Sequence, residues 1–597
     1  MKQRKRCEIK EEDTWDLTPI YLNETDFLQD YDNFLEEMQE INDYKNHLLD
    51  NSQTLLNFLV LSDKLERKLY RLYYYAHLNF DVDTTNARSK ELLGMVDNLM
   101  VKYGEAMAFV DPELLKGNFS LIEKFLKEEP GLEKYSFNLE NLYRYKKHTL
   151  TEKEEKIMNT LSVSLDSAET IYESLTDSDL TFGSIVVDSK KEEFTESNYS
   201  KFIESPDRKV RQKAFQLLFK TYAKYKNTLA DTFRLNIESV SKISQLKHYN
   251  SSIEASLYHD NIDLTVYNNL ISTVNNHLDI LYKYYDLKKE VLGVEKLHLY
   301  DIYANMVSDI DKNYTFDEAK NTVLEALSIL GTDYQVNLKK AFDNRYIDIY
   351  NNKGKRGGAY SSGFYDTNPY ILLNFEGKYN DVTTLAHELG HSMHTLYSCQ
   401  NNPYNTSSYK IFVAEVASTV NELLLIKYLL KQTDDKKEKL YLLNKLLELF
   451  KGTIFRQTMF AEFERDMYAS HEKGIILTSD YLCNNYYQLV KKYFGSSVVS
   501  DKLIQYEWER IPHFYYNFYV YKYAIGLSAA CKIVRDIETK GESAVNNYLK
   551  FLKTGGSMYP SDELLVCDVD IKNPQFIEEA ISMFDETIKE FQNIYRK

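Results

Sequence analysis

Apolar residues return at three- and four-residue intervals along most of the chain, the spacing that gathers them on one face of an α-helix. The stretches FLQDYDNFLEEMQEI and LERKLYRLYYYAHLNF, within residues 25–105, carry it clearly. The same spacing predicts helices over 150–177, from about 207 to 248, across 260–345 with loops near 293–313 and 331–335, and from about 408 onwards. Asp111-Pro112 and Glu129-Pro130-Gly131 punctuate the first helical region. Two stretches depart from the pattern. LTFGSIVVDSKKEEFT is β-branched around a glycine and reads as a short hairpin near 180–194. From residue 346, YNNKGKRGGAYSSGFYDTNPYILLNF is rich in glycine and turn residues, and its apolar end, 369–375, reads as a strand. A helix follows, with Asn380 or Asp381 as its cap. The expected fold is mainly α with a small β-sheet beside that helix. A boundary near 195 separates an N-terminal helical lobe, 1–195, from the remainder, 196–597.

Composition narrows the picture. Only 9 prolines and 20 glycines in 597 residues favour long uninterrupted helices. A net charge of −17 argues against a nucleic-acid partner, since a phosphate backbone needs a positive face. MKQRKR at the start is basic, but CEIKEEDTWD follows it with no apolar core, so no signal peptide is expected. No apolar run approaches the roughly 18–20 residues of a membrane helix. Cys7, Cys399, Cys483, Cys531 and Cys567 are scattered without a CxxC pair, the pattern of free thiols in a reducing cytoplasm. Fifty tyrosines are unusual. AT-rich codon usage accounts for most of them, and a tyrosine-lined groove is the functional alternative.

Candidate chemistry concentrates in DVTTLAHELGHSMHTLYS, residues 381–398, which holds His387, His391 and His394 of the 12 histidines in the chain. Helical residues four apart share a face, so His387 and His391 can aim both imidazoles at one point. Zinc accepts neutral imidazole nitrogens in tetrahedral geometry and keeps a position for water. Glu388 stands beside the first histidine, within reach of that water as a general base; this is the logic of an HExxH site. Leu385, Leu389 and Met393 supply a buried side, and Gly390 leaves room for close packing. The competing reading is a pair of surface histidines.

A third ligand is expected from YKIFVAEVASTVNELLLIKYLL, 409–430. A helix this apolar should hold acids only where they are paired or ligating. Glu415 is assigned as the third metal ligand and Glu422 as the acceptor that orients a ligand histidine. The alternative is that both face solvent. His394 reads as a packed histidine. A second cluster is RIPHFYYNFYVYKYAIG, 510–526, where Pro512 suits a helix first turn and Tyr516, Tyr519 and Tyr523 would then share a face. Peptide hydrolysis passes through an oxyanion, to which a histidine N–H or tyrosine O–H can donate. A core aromatic belt explains most of these rings and leaves His513 and one or two tyrosines for chemistry.

With these pieces in view the chain resembles oligoendopeptidase F, within the thimet-oligopeptidase-like zinc metallopeptidases. KRGGAY, PYILLNF, TLAHELGHSMH, VAEVASTVNE and IPHFYYNFYVYKYA carry the resemblance, and DTWDLTPIY and YYYAHLNFDVDTT extend it towards the start. It implies an elongated helical ellipsoid split by a deep channel, with the 1–195 lobe covering the channel. It further implies a catalytic metallopeptidase domain over 196–597. One zinc ion would be held by His387, His391 and Glu415, with Glu388 as base. His513, Tyr519 and Tyr523 would match the family's substrate and oxyanion residues. The thimet-type relatives have a glycine-rich loop between the corresponding His and Tyr, whereas here the segment is short and aromatic. Gly526 stands at the third of their tyrosine positions. Substrates would be short unfolded peptides cut internally, in the cytoplasm.

The glycine-rich segment and the strand precede the motif helix directly, so an extended peptide is expected along a strand edge there, held by main-chain hydrogen bonds. Gly357, Gly358 and Tyr516 are the candidate substrate contacts. A rival is a zinc carboxypeptidase or dipeptidase on a similar helical scaffold. Such an enzyme needs a fixed cation for the terminal carboxylate, and Lys355, Arg356, Arg510 and Lys522 are available in sequence. A non-catalytic peptide-binding protein that retains metal is the other rival.

Overall fold

The helical spacing of the sequence becomes helices through most of the computed structural model, which describes residues 4–597 except 188, 309 and 311. Among those residues the strands are β1 (Ser184–Val187), β2 (Lys190–Glu193), β3 (Leu297–His298), β4 (Ile347–Asp348), β5 (Tyr360–Ser362), β6 (Tyr370–Leu372) and β7 (Val498–Val499). The protein is thus mainly α, with small sheets only. No helix of the described residues is long and apolar enough to cross a membrane.

Contacts divide the chain into two units. The first comprises residues 1–147, 312–428 and 533–568. Its first core is built on helix Ser52–Asp81, whose Leu55, Phe58, Leu61, Leu65, Leu69, Leu72 and Ala76 are buried at helical spacing. The start is fixed by Asn51, whose side chain accepts the Thr54 N–H. This helix packs on Ala87–Met107, and the cluster extends to Tyr370 and Leu372 of β6.

That three-stranded sheet has the order β4-β6-β5. β6 is parallel to β4, with Ile371 opposite Ile347, and antiparallel to β5, with Ile371 opposite Ser361. All of β6 is buried, as a central strand covered on both faces must be. β5 is therefore an edge strand. The glycine-rich segment between β4 and β5 is anchored by its own polar groups. Lys355 Nζ is buried against Asp348 Oδ1 at 2.7 Å and donates to the carbonyls of Asp348 and Tyr350. Asp81 accepts from the Arg356 N–H and from Tyr360 Oη.

Two helices of this unit carry the candidate site. The motif helix is Tyr379–Asn401. It begins ahead of the expected Asn380 or Asp381. Asp381 serves inside the first turn instead, where Oδ2 accepts the backbone N–H groups of Lys378 at 2.8 Å and Glu376 at 3.0 Å. A reversed bond of this kind is the reciprocal half of a capping box and fixes the backbone ahead of the helix. The glutamate helix is Ile411–Gln432. The loop leading into it is held by the last piece of the unit. Gly556 N–H donates to the Thr406 carbonyl at 2.8 Å, and Asn402 Nδ2 donates to the Lys553 carbonyl at 2.8 Å. Gly555, at φ +55°, and Gly556 both lie too close to loop backbone for a side chain.

The second unit comprises residues 148–311, 429–532 and 569–597. The hairpin expected near 180–194 is β1–β2, antiparallel. The long helix expected from 207 is Arg208–Leu246, capped by Asp207 on the Lys209 N–H. It packs on the 3-10 segment Lys502–Arg510 and on helix Ser479–Phe494. Helices Lys436–Phe450 and Gln457–Glu472 are joined by a π-helical turn, Lys451–Arg456.

Candidate metal centre

Leu385, Ala386, Leu389 and Met393 bury one face of the motif helix completely. Gly390 shares that face and meets the glutamate helix backbone to backbone. A Cβ on Gly390 would stand 2.6 Å from Ser418 Cα and 2.7 Å from the Ala417 carbonyl oxygen. Asn421 Nδ2 ties the pair further by donating to the Ala386 carbonyl at 3.0 Å. This close crossing brings the first turns of the glutamate helix up to the two histidines.

His387 Nε2 and His391 Nε2 lie 3.1 Å apart, and Glu415 Oε2 is 3.5 Å from the first and 3.6 Å from the second. Three ligands at tetrahedral angles on metal bonds of about 2.0–2.1 Å would be separated by about 3.3 Å. The triangle has the size that such an ion requires. The protons agree with it. His387 Nδ1–H donates to Glu422 Oε1 at 2.5 Å, and the His391 ring donates to the Ala414 carbonyl. Each neutral ring then presents an unprotonated Nε2 to the shared point. Two lone pairs and a carboxylate oxygen facing one another at these distances repel unless a proton or a metal cation stands between them. His387, His391 and Glu415 are also the group of potential ligands that the described residues bring within 4.8 Å of one another.

Without an ion, burial and the opposing charges shape the titration of these groups. Burial pulls His387 down, but the hydrogen bond and charge of Glu422 prevail and raise it to about 8. Burial and the charge of His387 push His391 down to about 4. Burial raises Glu388 to about 7, against the pull of His387 and of a hydrogen bond from the Ser361 backbone N–H. Glu388 is only 7% exposed. The strand that covers it is fastened to the motif helix, because Ser361 Oγ and Ser392 Oγ are hydrogen-bonded at 2.8 Å. Ser418 Oγ donates to Glu415 Oε2 at 3.0 Å and so orients that carboxylate. His394 takes no part in the triangle; it is buried and stacked on Tyr409 at 3.6 Å.

Ser361, Ser392, Ser418 and the Ala414 carbonyl were not among the sequence expectations. No spacing rule marks them, since each acts through the helix crossing or the sheet register. Gly357 and Gly358 lie ahead of β5, and an added Cβ at either meets nothing within 4 Å. The close approaches in this segment belong instead to Gly363, against Pro369, and to Gly354, against Asp83. At Gly358 a φ of +81° is what calls for glycine.

In the second unit His513 lies in the turn Pro512–Tyr515. Its ring is 5.5 Å from Tyr516, 6.5 Å from Tyr519 and 5.9 Å from Tyr523, with Nε2 at 3.4 Å from Tyr523 Oη. Burial lowers the His513 pKa, favouring the neutral ring. The tyrosines do not share one helix face as expected. The backbone breaks at Asn517 and Phe518, with φ of 49° and 61°, and the helix Tyr521–Lys540 starts after them. Tyr516 is half exposed, whereas Tyr519 and Tyr523 stand together 5.4 Å apart.

The cations available to a carboxypeptidase are engaged. Lys355 is buried on Asp348, Arg356 Nε is 3.0 Å from Asp81 Oδ1, Arg510 Nε donates to Glu196 at 2.8 Å, and Lys522 Nζ lies 2.7 Å from Asp260. The cysteines carry no disulfide.

Comparison with known proteins finds relatives over nearly the whole chain. The sequence model of peptidase family M3 matches residues 201–583, and that of oligopeptidase F matches 113–182. The oligopeptidase PepF of Bacillus subtilis is 42% identical over 593 residues, covering 99% of this chain and 88% of that protein. A crystal structure from Chlamydophila abortus superposes with a TM-score of 0.94 at 38% identity, over 99% of this chain and 100% of that one. Oligoendopeptidase-F from Enterococcus faecium superposes with a TM-score of 0.74 at 33% identity, over 96% and 99%.

Proposed function

The chain belongs to peptidase family M3 and is a metallopeptidase that cuts oligopeptides internally; we propose that it does so with a single zinc ion held by His387, His391 and Glu415. The observation that carries this reading is the triangle of Nε2, Nε2 and Oε2 atoms at 3.1, 3.5 and 3.6 Å, with the His387 Nδ1 proton engaged by Glu422. Two imidazoles and one carboxylate are the donor set of catalytic zinc, which leaves a fourth position open.

A zinc ion bound there supplies Lewis acidity, making a water acidic and a peptide carbonyl electrophilic. Glu388 is the general base: it takes the proton of the attacking water and delivers it to the leaving amine. Its burial and the Ser361 N–H hold the carboxylate beside His387. Glu422 keeps His387 in the tautomer that offers Nε2. His513, with Tyr519 or Tyr523, donates to the oxyanion, a role that calls for neutral N–H and O–H groups such as these. The substrate lies extended along the β5 edge near Gly357 and Gly358, paired through its backbone and therefore accepted with many side chains, and Tyr516 contacts it. On this reading residues 196–597 carry the catalytic groups and 1–195 form an N-terminal lobe. Free cysteines support a cytoplasmic setting.

Internal cleavage is favoured over removal of terminal residues because Lys355, Arg356, Arg510 and Lys522 are all in ion pairs. The test is an internally quenched peptide blocked at both ends, incubated with and without a chelator, with products identified by mass spectrometry. The proposal expects internal cuts that the chelator stops and zinc restores. A peptide left intact when both ends are blocked, yet trimmed when its ends are free, would overturn it.

A further inference from the structure

Between His513 and Tyr519 the backbone enters the left-handed region at two successive residues, Asn517 at φ 49° and Phe518 at φ 61°. Neither is glycine, and a bulky residue there is a genuine outlier that persists only where surroundings hold it. The surroundings here are specific. Asn517 Oδ1 accepts from Tyr468 Oη at 2.6 Å and from Asn236 Nδ2 at 2.9 Å. The Asn517 carbonyl accepts from Ser256 Oγ at 3.1 Å. Phe518 is fully buried, with its ring 4.5 Å from Tyr468 and 6.0 Å from Tyr267. Its N–H, which a left-handed turn directs away from any helical partner, donates to Glu464 Oε1 at 2.7 Å. Glu464 is itself fully buried, and its other oxygen has no hydrogen-bond partner among the described residues.

A buried acid with one bond is costly, so its retention needs a reason. The bond it makes is to the residue that turns the chain from His513 into Tyr519. We propose that Glu464 and Asn517 are positioning residues, holding the left-handed turn so that His513, Tyr519 and Tyr523 keep one fixed arrangement for catalysis. The inference rests on the reading of those three as oxyanion donors. Burial pushes Glu464 up to about 8, so at neutral pH it is a protonated acid accepting through one oxygen. A glutamine reproduces that acceptor in shape and charge, whereas a leucine leaves the Phe518 N–H buried and unpaired.

The experiment compares Glu464→Gln, Glu464→Leu, Asn517→Ala and His513→Phe in the full-length, zinc-loaded enzyme. All are measured on one quenched peptide below their melting temperatures. Glu464→Gln should match the parent in kcat and KM. Glu464→Leu and Asn517→Ala should lose kcat by about 10- to 100-fold, the scale of a catalytic group displaced by about an ångström. KM should stay within about two-fold and zinc content should be unchanged, because a loosened turn misplaces donors without removing binding surface. A merely structural role would lower the melting temperature and leave kcat per folded, zinc-loaded molecule intact. That result for Asn517→Ala and for Glu464→Leu, with His513→Phe impaired, would overturn the inference; if Glu464→Leu does not fold, Asn517→Ala decides alone. Full kcat in His513→Phe would overturn the reading beneath it, and the inference with it.

Discussion

Gly390 and Ser418 lie in backbone contact: a Cβ on the glycine would come within 2.6 Å of the serine Cα. The atom in the way is main chain, which cannot swing aside as a side chain can. Gly390→Ala should therefore push the motif helix off the glutamate helix. The expected cost is about 1–3 kcal/mol, as for other overpacked interiors. Zinc affinity should fall as well, because Glu415 reaches the histidines only across that contact. Thermal melting and metal content after dialysis read the two effects; a variant that melts and binds zinc like the parent would refute the crossing.

Glu388→Gln keeps the shape of the side chain and removes the base. Zinc content and melting temperature should be unchanged, while turnover falls by about 10²–10⁴-fold or below detection. Near-normal activity would eliminate Glu388 from the assigned role.

Glu422 would act on a bound ion through His387, whose Nδ1–H it accepts at 2.5 Å. Glu422→Ala should weaken zinc binding by about 10- to 100-fold, the usual effect of losing a partner that orients a ligand histidine. Competition with a chromophoric chelator measures it directly. The same titration on Ser418→Ala should show a smaller loss, since Glu415 keeps its ligand oxygen when the Ser418 hydroxyl is gone.

Glu509 gives a pH dependence of stability. Both carboxylate oxygens are buried without a hydrogen-bond partner among the described residues, and burial raises the pKa from 4.5 to about 9. The folded state thus binds a proton more tightly than the unfolded chain. That contribution is complete below 4.5 and is lost as pH rises from there towards 9, by at most about 1.4 kcal/mol per pH unit. Glu509→Gln should raise the melting temperature relative to the parent at pH 8, and the gap should close towards pH 4.5. A gap that widens as the medium is acidified would contradict the sign.

The two helices of the metal centre were legible because chemistry and periodicity coincide in them. His387, Glu388 and His391 stand at helical spacing beside Leu385, Leu389 and Met393, and Glu415 and Glu422 interrupt an otherwise apolar helix. Ser418, Ser392, Ser361 and the Ala414 carbonyl were not legible. Their roles arise where one element crosses another, and small polar residues at such crossings look like any other serine or alanine in sequence. The helix start differs from the expected one because Asp381 acts from inside the first turn rather than in front of it. The break at Asn517 and Phe518 was hidden for a different reason. Asparagine tolerates the left-handed region, but nothing in a phenylalanine announces it. Glu464, Asn236, Tyr468 and Ser256, far away along the chain, hold it in place.

The clamp of Gly556 on Thr406 has a bearing on synthesis. Ribosomes deliver residue 556 some 150 positions after 406, so throughout that interval the loop entering the glutamate helix lacks its backbone partner. Nascent chains fold from the amino terminus as they emerge, yet this loop stays unfastened until residue 556 is in place. The entry to the glutamate helix thus takes its fixed path only once residues 533–568 have joined the rest of their unit.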